Sequence, residues 1–180
     1  MKTALVLFAQ GSEELESVTI VNILRRGGIT VTLAGITAGA LHGARGVNIL
    51  PDTTLDAILH QNFDMIVLPG GQPGTNHLKA DARVLDLVSK MFQQGRYVAA
   101  ICAAPSVLAT AGLLDGKQAT CYPGSLDGFP SIHLKTAAVV EDGKLITSRG
   151  PGTAMDFALT LVERLAGSTM RHEVEAGLVR

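Results

Sequence analysis

Short unbroken runs of apolar residues alternate along this chain with longer stretches in which apolar positions recur every three or four residues. The first pattern predicts strands buried on both faces, and the second predicts helices with one covered side. Lys2 to Ala9 reads as a strand, and Ser12-Glu13-Glu14 then opens a helix whose apolar positions Leu15, Val18 and Val21 run to the stop at Gly27-Gly28. Thr30 to Ala34 is the next strand, Val47 to Leu50 a shorter one, and Thr54 to His60 a brief helix. Met65 to Leu68 is a central strand ending in Pro69-Gly70-Gly71. A helix from about Asp81 to Gln94 follows, with Val84, Leu87, Val88 and Met91 inward and Gly95 as its stop.

The second half repeats the rhythm. Residues 97–101 form a strand, 104–111 a helix and 118–121 a strand. Segments 137–140 and 144–147 flank Asp142-Gly143, a strong hairpin signal. Thr153 is placed to cap a long helix lined by Phe157, Leu161 and Leu165, and a shorter helix after Gly167 closes the chain. Strands and helices alternating through short connections predict an α/β fold: a flavodoxin-like three-layer sandwich with a mostly parallel central sheet. With 180 residues and no linker or repeat, residues 1–180 are expected to form a single domain.

Composition sharpens this picture. Apolar residues make up 47% and charged residues 17%, and mean hydropathy is +0.30, which fits strands covered on both faces and leaves room for a buried partner surface. A formal net charge of −1 with scattered basic residues offers no footprint for nucleic acid or an anionic membrane. The apolar stretch at the amino terminus is too short for a signal peptide, and no run is long enough to span a bilayer. Two cysteines, Cys102 and Cys121, make no disulfide framework and suggest the reducing cytoplasm, although a bridge between them stays open.

The candidate chemistry gathers at the carboxyl ends of strands. Cys102 stands where a strand turns abruptly into a helix, among the small residues Ala100, Ala103 and Ala104, with Pro105 in the first helical turn. Such a turn displays a nucleophile, and the helix start beyond it favours a thiolate. A buried structural cysteine would fit the same residues. In open α/β sheets the loops after neighbouring strands share one crevice. Gln10 to Glu16, with carboxylates Glu13, Glu14 and Glu16, and Pro69 to Gly74, whose Gly70-Gly71 N–H groups can face an oxyanion, should therefore lie near Cys102. The acidic residues would equally suit a helix start, and the glycine pair an ordinary turn. No phosphate-binding glycine pattern opens the first helix, and the five histidines carry no metal-binding spacing, so no metal site is expected. His77 or His133 could approach the cysteine in space.

Four motifs together resemble the ThiJ/PfpI superfamily, in its DJ-one/YajL-like branch. They are Gly11-Ser12-Glu13-Glu14-Leu15-Glu16, Val67-Leu68-Pro69-Gly70-Gly71, Ala99-Ala100-Ile101-Cys102-Ala103-Ala104-Pro105 and Thr147-Ser148-Arg149-Gly150-Pro151-Gly152-Thr153, and the similarity runs from about Lys2 to Gly167. The resemblance implies a homodimer with Cys102 as a reactive, oxidisable thiol and Glu16 as the acid sharing its proton. It also implies Gly71 and Ala103 as backbone donors, and a pocket bordered by Gly70, Ser148, Arg45 and Tyr122, with Arg45 supplied by the partner subunit and Arg25 and Arg26 near the same interface. Tyr122 stands where the animal branch has a histidine, and Ala103 where the protease-like branch has one, so neither histidine-assisted chemistry nor peptidase activity is expected.

The function implied is a cofactor-free, cysteine-dependent stress-response enzyme acting on α-oxoaldehydes such as methylglyoxal or glyoxal, or on their adducts with proteins. It would be glyoxalase III-like or deglycase-like, with a small aldehyde or a glycated protein as partner. The alternative is a redox sensor or chaperone that works through oxidation of Cys102 with little catalysis.

Overall fold

A computed structural model describes residues 1–180. In chain order the elements begin with β1 (Thr3–Phe8), α1 (Glu14–Arg26), β2 (Thr30–Gly35), β3 (Leu41–His42), β4 (Asn48–Ile49), β5 (Thr53–Thr54) and α2 (Leu55–Ile58). They continue with β6 (Met65–Leu68), α3 (Gly74–Ala80), α4 (Ala82–Gln93), β7 (Tyr97–Ile101), α5 (Pro105–Thr110), β8 (Gln118–Ala119) and β9 (His133–Leu134). Last come β10 (Val139–Asp142), β11 (Leu145–Ser148), a 3₁₀ turn at Pro151–Thr153, α6 (Ala154–Ala166) and α7 (Ser168–Gly177).

Seven strands form the central sheet in the order β10-β11-β7-β6-β1-β2-β5, and only β10 runs antiparallel to its neighbour. Side chains alternate across β1, so Leu5 and Leu7 enter a core cluster of 26 buried residues while Ala4, Val6 and Phe8 enter a second of 25 on the other face. The two cores are nearly equal, which is why these strands read as continuous apolar runs. The first core lies under α2, α4 and α5, and the second under α1 and α6.

Strand order reverses direction about β1, with β2 on one side and β6 on the other. The loops after β1, β6 and β7 therefore emerge side by side at one sheet edge, the position where open α/β sheets build a ligand crevice.

Helix α1 departs from the sequence reading. Leu15 and Val18 are about half exposed, and of the three apolar positions only Val21 is buried. The inward face is carried by Ile20, Ile23 and Leu24, together with Glu16 and Ser17. Hydropathy misses those two polar residues because their partners are distant or on the backbone: Ser17 Oγ donates to the Glu13 carbonyl at 2.8 Å. Helix α3 is also unanticipated, since only Gly74, Thr75 and Leu78 are buried and no apolar period announces it. The two-residue strands β3, β5 and β9 are too short for any periodic signal. The Asp142-Gly143 hairpin forms one residue out of place: Asp142 ends β10, and Gly143, at φ 62°, turns the chain with Lys144.

Candidate active site

Cys102 is the first residue beyond β7 and has φ 65°, the left-handed region that a non-glycine residue rarely enters. Two backbone bonds hold it there. Its N–H donates to the Ser148 carbonyl at 3.0 Å, and its own carbonyl accepts from Tyr122 N–H at 2.7 Å. Strain stored at one residue in this way requires surroundings that fix it. Here they are β11 on one side and the loop after β8 on the other.

Gly70 supplies the floor. A Cβ built on it would sit 2.6 Å from the Cβ of Cys102, so only glycine lets the cysteine approach. The Gly70 N–H donates to Glu16 Oε2 at 2.8 Å, and its carbonyl accepts from Glu13 N–H at 2.8 Å. Gly71, at φ 87°, has no room for a side chain either, because a Cβ there would fall on the Glu13 backbone. Glycine at both positions is thus a requirement of packing, and the loops after β1, β6 and β7 lock together.

Glu16 is fully buried, and its Oε1 has no hydrogen-bond partner. Burial pushes its carboxyl group up to about 7, and the nearby Glu13 charge adds to this, against the Gly70 N–H and the Cys102 thiol, which favour the anion. Burial, followed by the Glu16 charge, pushes the Cys102 thiol up to about 12, while the Gly71 and Ala103 N–H groups pull the other way. The helix start alone therefore does not deliver the resting thiolate that the sequence suggests. At neutral pH the pair retains a proton, and the sulfur needs a base to take it. Glu16 is the group beside it that titrates in the right range.

A cavity of about 350 Å³ opens over the sulfur, lined by Glu13, Ala44, Arg45, Gly71, Gln72, Cys102, Ala103, Tyr122, Ser125 and Pro151. Arg45 reaches it from the same chain, whereas the resemblance assigned it to the partner. Tyr122 lies on the rim, about half exposed. Gly70 and Glu16 sit beneath the lining. Ser148 is also behind it: its hydroxyl donates to the Ala138 carbonyl and pairs with Thr153, both at 2.7 Å, so it braces Cys102 through the backbone. Five lining residues go beyond the expected pocket set: Glu13 and Gln72 lie in the two loops expected near Cys102, Pro151 lies in the motif around Ser148, and Ala44 and Ser125 have no sequence signal of their own.

No histidine lines the cavity. His77 is exposed, with Nδ1 2.8 Å from the Gln10 carbonyl, and His133 lies in β9. Cys121 is a free thiol, as is Cys102, and the two belong to cores on opposite faces of the sheet. No three His, Cys, Asp or Glu side chains gather as metal ligands, and no helix is long and apolar enough to cross a membrane.

Residues 2–164 match the model of the DJ-1/PfpI family. The chain belongs to this family. It is 46% identical to Protein dj-1beta of Drosophila melanogaster, covering 99% of this chain and 97% of the relative. The crystal structure of that DJ-1beta superposes with a TM-score of 0.95 over 99% of this chain and 97% of its own. A Caenorhabditis elegans relative named Glutathione-independent glyoxalase DJR-1.2 is 35% identical over 92% of this chain and 90% of its own length. In Protein DJ-1 homolog B of Arabidopsis thaliana, 42% identical over 99% of this chain, the match spans 41% of the relative. As a DJ-1/PfpI family member the chain carries the expected α/β fold with its mostly parallel seven-stranded sheet. The family includes a protein named for glyoxalase activity.

Proposed function

We propose that this protein converts α-oxoaldehydes to α-hydroxy acids without a cofactor, using Cys102 as nucleophile and Glu16 as its base and acid. The observation that carries the reading is the buried Glu16 carboxyl, raised to about 7, below a cavity lined by a strained cysteine at φ 65° together with Gly71 and Ala103, whose N–H groups favour the sulfur's anionic form. A group titrating near neutrality suits both halves of a proton shuttle.

With methylglyoxal, the sulfur attacks the aldehyde carbon as its proton passes to Glu16, giving a hemithioacetal. The Gly71 and Ala103 N–H groups stabilise the oxygen that gains charge. Glu16 then returns a proton and accepts one from the former aldehyde carbon, which is delivered to the neighbouring carbonyl carbon through an enediol. The product of this shift is a lactoyl thioester. Water cleaves the carbon–sulfur bond, releasing lactate and restoring the thiol, so the sum is methylglyoxal plus water to lactate plus a proton. Hemiaminal adducts on protein amines would enter by the same attack, with the amine as leaving group, and a reduced thiol suits a reducing compartment such as the cytoplasm.

A redox-sensor reading rests on the same Cys102 thiol, with oxidation of the sulfur in place of turnover. Lactate formation from methylglyoxal by the pure protein is the deciding measurement. Cys102→Ser should lower it at least about a thousandfold, as loss of a covalent nucleophile does elsewhere. Equal rates in the two proteins would sink the proposal.

A homodimer is also proposed. The half-exposed Leu15 and Val18 continue into a groove lined by Val21, Asn22, Arg25, Arg26 and Leu33, an apolar strip with polar edges on the outer side of α1. Val18→Asp should convert dimers to monomers in sedimentation at micromolar concentration. A wild type that sediments as a monomer ends this reading.

A further inference from the structure

Methylglyoxal has five non-hydrogen atoms and fills roughly the space of four waters, whereas a cavity of about 350 Å³ holds about a dozen. The remaining room has a distinctive lining. Arg45 has no hydrogen bond or ion pair from its guanidinium, while the guanidinium of each of the other eight arginines donates to a side-chain or backbone oxygen. Glu13 is more than nine-tenths buried as a residue, lines the same cavity and makes no side-chain hydrogen bond within the chain. One unused cation and one unused acceptor thus border a space too large for the smallest substrates.

The placement of Arg45 is built. Its backbone N–H donates to both Glu14 carboxylate oxygens, at 2.9 and 3.1 Å, and Val47 N–H donates to Oε1 at 3.2 Å. Gly43 has no room for a Cβ against the same carboxylate. The Ala44 N–H is tied to the Ser12 carbonyl at 2.8 Å. The turn between β3 and β4 is therefore bolted to the loop after β1, and its one cationic side chain stands at the cavity. A guanidinium presents a planar fork of donors matched to a carboxylate.

Resting on the reaction proposed above, we infer that the preferred substrates are α-oxoaldehydes bearing a carboxylate at the far end of a short chain, bound by Arg45, with Glu14 as the positioning residue. The hemithioacetal of such a molecule offers a carboxylate to Arg45 and a hydroxyl to Glu13, satisfying both unused groups. Dioxopentanoate, in which two methylenes separate the dicarbonyl from the carboxylate, is the simplest example. It would take up one water and leave as hydroxyglutarate plus a proton, by the same shift that yields lactate.

The test compares kcat/KM for dioxopentanoate with that for oxohexanal, whose chain ends in an ethyl group in place of the carboxylate. The wild type should favour the anion at least tenfold. In Arg45→Gln that ratio should fall toward one, mainly through KM, and Arg45→Lys should recover part of it. A wild-type ratio near one, or a ratio unchanged in Arg45→Gln, overturns the inference. Calorimetry on Cys102→Ser separates this from the chemistry: hydroxyglutarate should bind at least tenfold tighter than hydroxyhexanoate, and adding Arg45→Gln should abolish the difference. Should neither dicarbonyl be turned over, the proposed reaction fails, and the two hydroxy acids alone decide whether Arg45 selects a carboxylate at the far end of the chain. Equal binding of both would then overturn the inference.

Discussion

Glu14 and Glu16 lie two residues apart in the first turn of α1, and the fold uses them in opposite ways. At the floor of the pocket, Glu16 is fully buried, receives one backbone N–H and keeps an oxygen without a partner. Burial wins, and its carboxyl rises to about 7. At the rim, Glu14 is also buried, but the N–H groups of Glu14 itself, Arg45 and Val47 outweigh the effect of burial and hold its carboxyl below the usual carboxylate range. The number of N–H groups facing each carboxylate decides which becomes a proton carrier and which a strut.

Removing the floor carboxylate should have the largest effect. Glu16→Gln keeps the shape and an acceptor for the Gly70 N–H but cannot take the Cys102 proton. A loss of about a hundredfold to ten-thousandfold in kcat is expected, the usual range for a lost general base. The same variant tests linkage. A carboxyl raised from 4.5 to about 7 on folding contributes stability that is fully present below pH 4.5 and lost as pH rises to about 7 and beyond, amounting to about 3 kcal/mol. Urea melts at pH 5 and pH 8 should show this loss in wild type and not in Glu16→Gln. A slope that survives the substitution assigns the titration to another group.

Gly70→Ala should come next, because the methyl would press on the Cys102 Cβ and on the Ala103 and Ile101 backbone, both 3.0 Å away. Overpacking of this kind costs about 1–3 kcal/mol, and a shift of the sulfur by even an ångström would lower kcat about a hundredfold. An alanine variant with wild-type melting and wild-type kcat would show that the β6 loop has slack the geometry does not suggest.

The same contrast explains what the sequence made legible. Strands β1, β6 and β7 were visible because they are buried on both faces and purely apolar, and the Cys102 turn was visible because small residues crowd it. Glu16 was distinguishable from Glu14 by family resemblance alone, since two acidic residues in one helical turn look alike until the N–H groups around them are placed. The apolar stripe of α1 misled for a related reason. Leu15 and Val18 suggested a core face, whereas Glu16 and Ser17 occupy part of that face through hydrogen bonds that span up to 54 residues of sequence. Arg45 was nameable, but its support from Glu14 across 31 residues was not.

Weakening the rim should have the smallest effect and the opposite pH sign. Glu14→Gln replaces a charged acceptor of the Arg45 and Val47 N–H groups with a neutral amide, which should cost about 1–2 kcal/mol, toward the low end for bonds to a charged group. Because the folded state holds the Glu14 carboxyl low, its contribution is present above the ordinary carboxylate value of 4.5 and is lost as pH falls below that. Acid therefore loosens the rim over a range in which the floor is at its most stable. Protection of the Arg45 and Val47 amides from hydrogen exchange, relative to the intrinsic rate at each pH, should fall below pH 4.5 in wild type, and Glu14→Gln should show that lower protection already at neutral pH. If these two amides stay protected in the variant, the hairpin is held by the Ala44 N–H on the Ser12 carbonyl and the Gly11 N–H on the His42 carbonyl, and the carboxylate is not its strut.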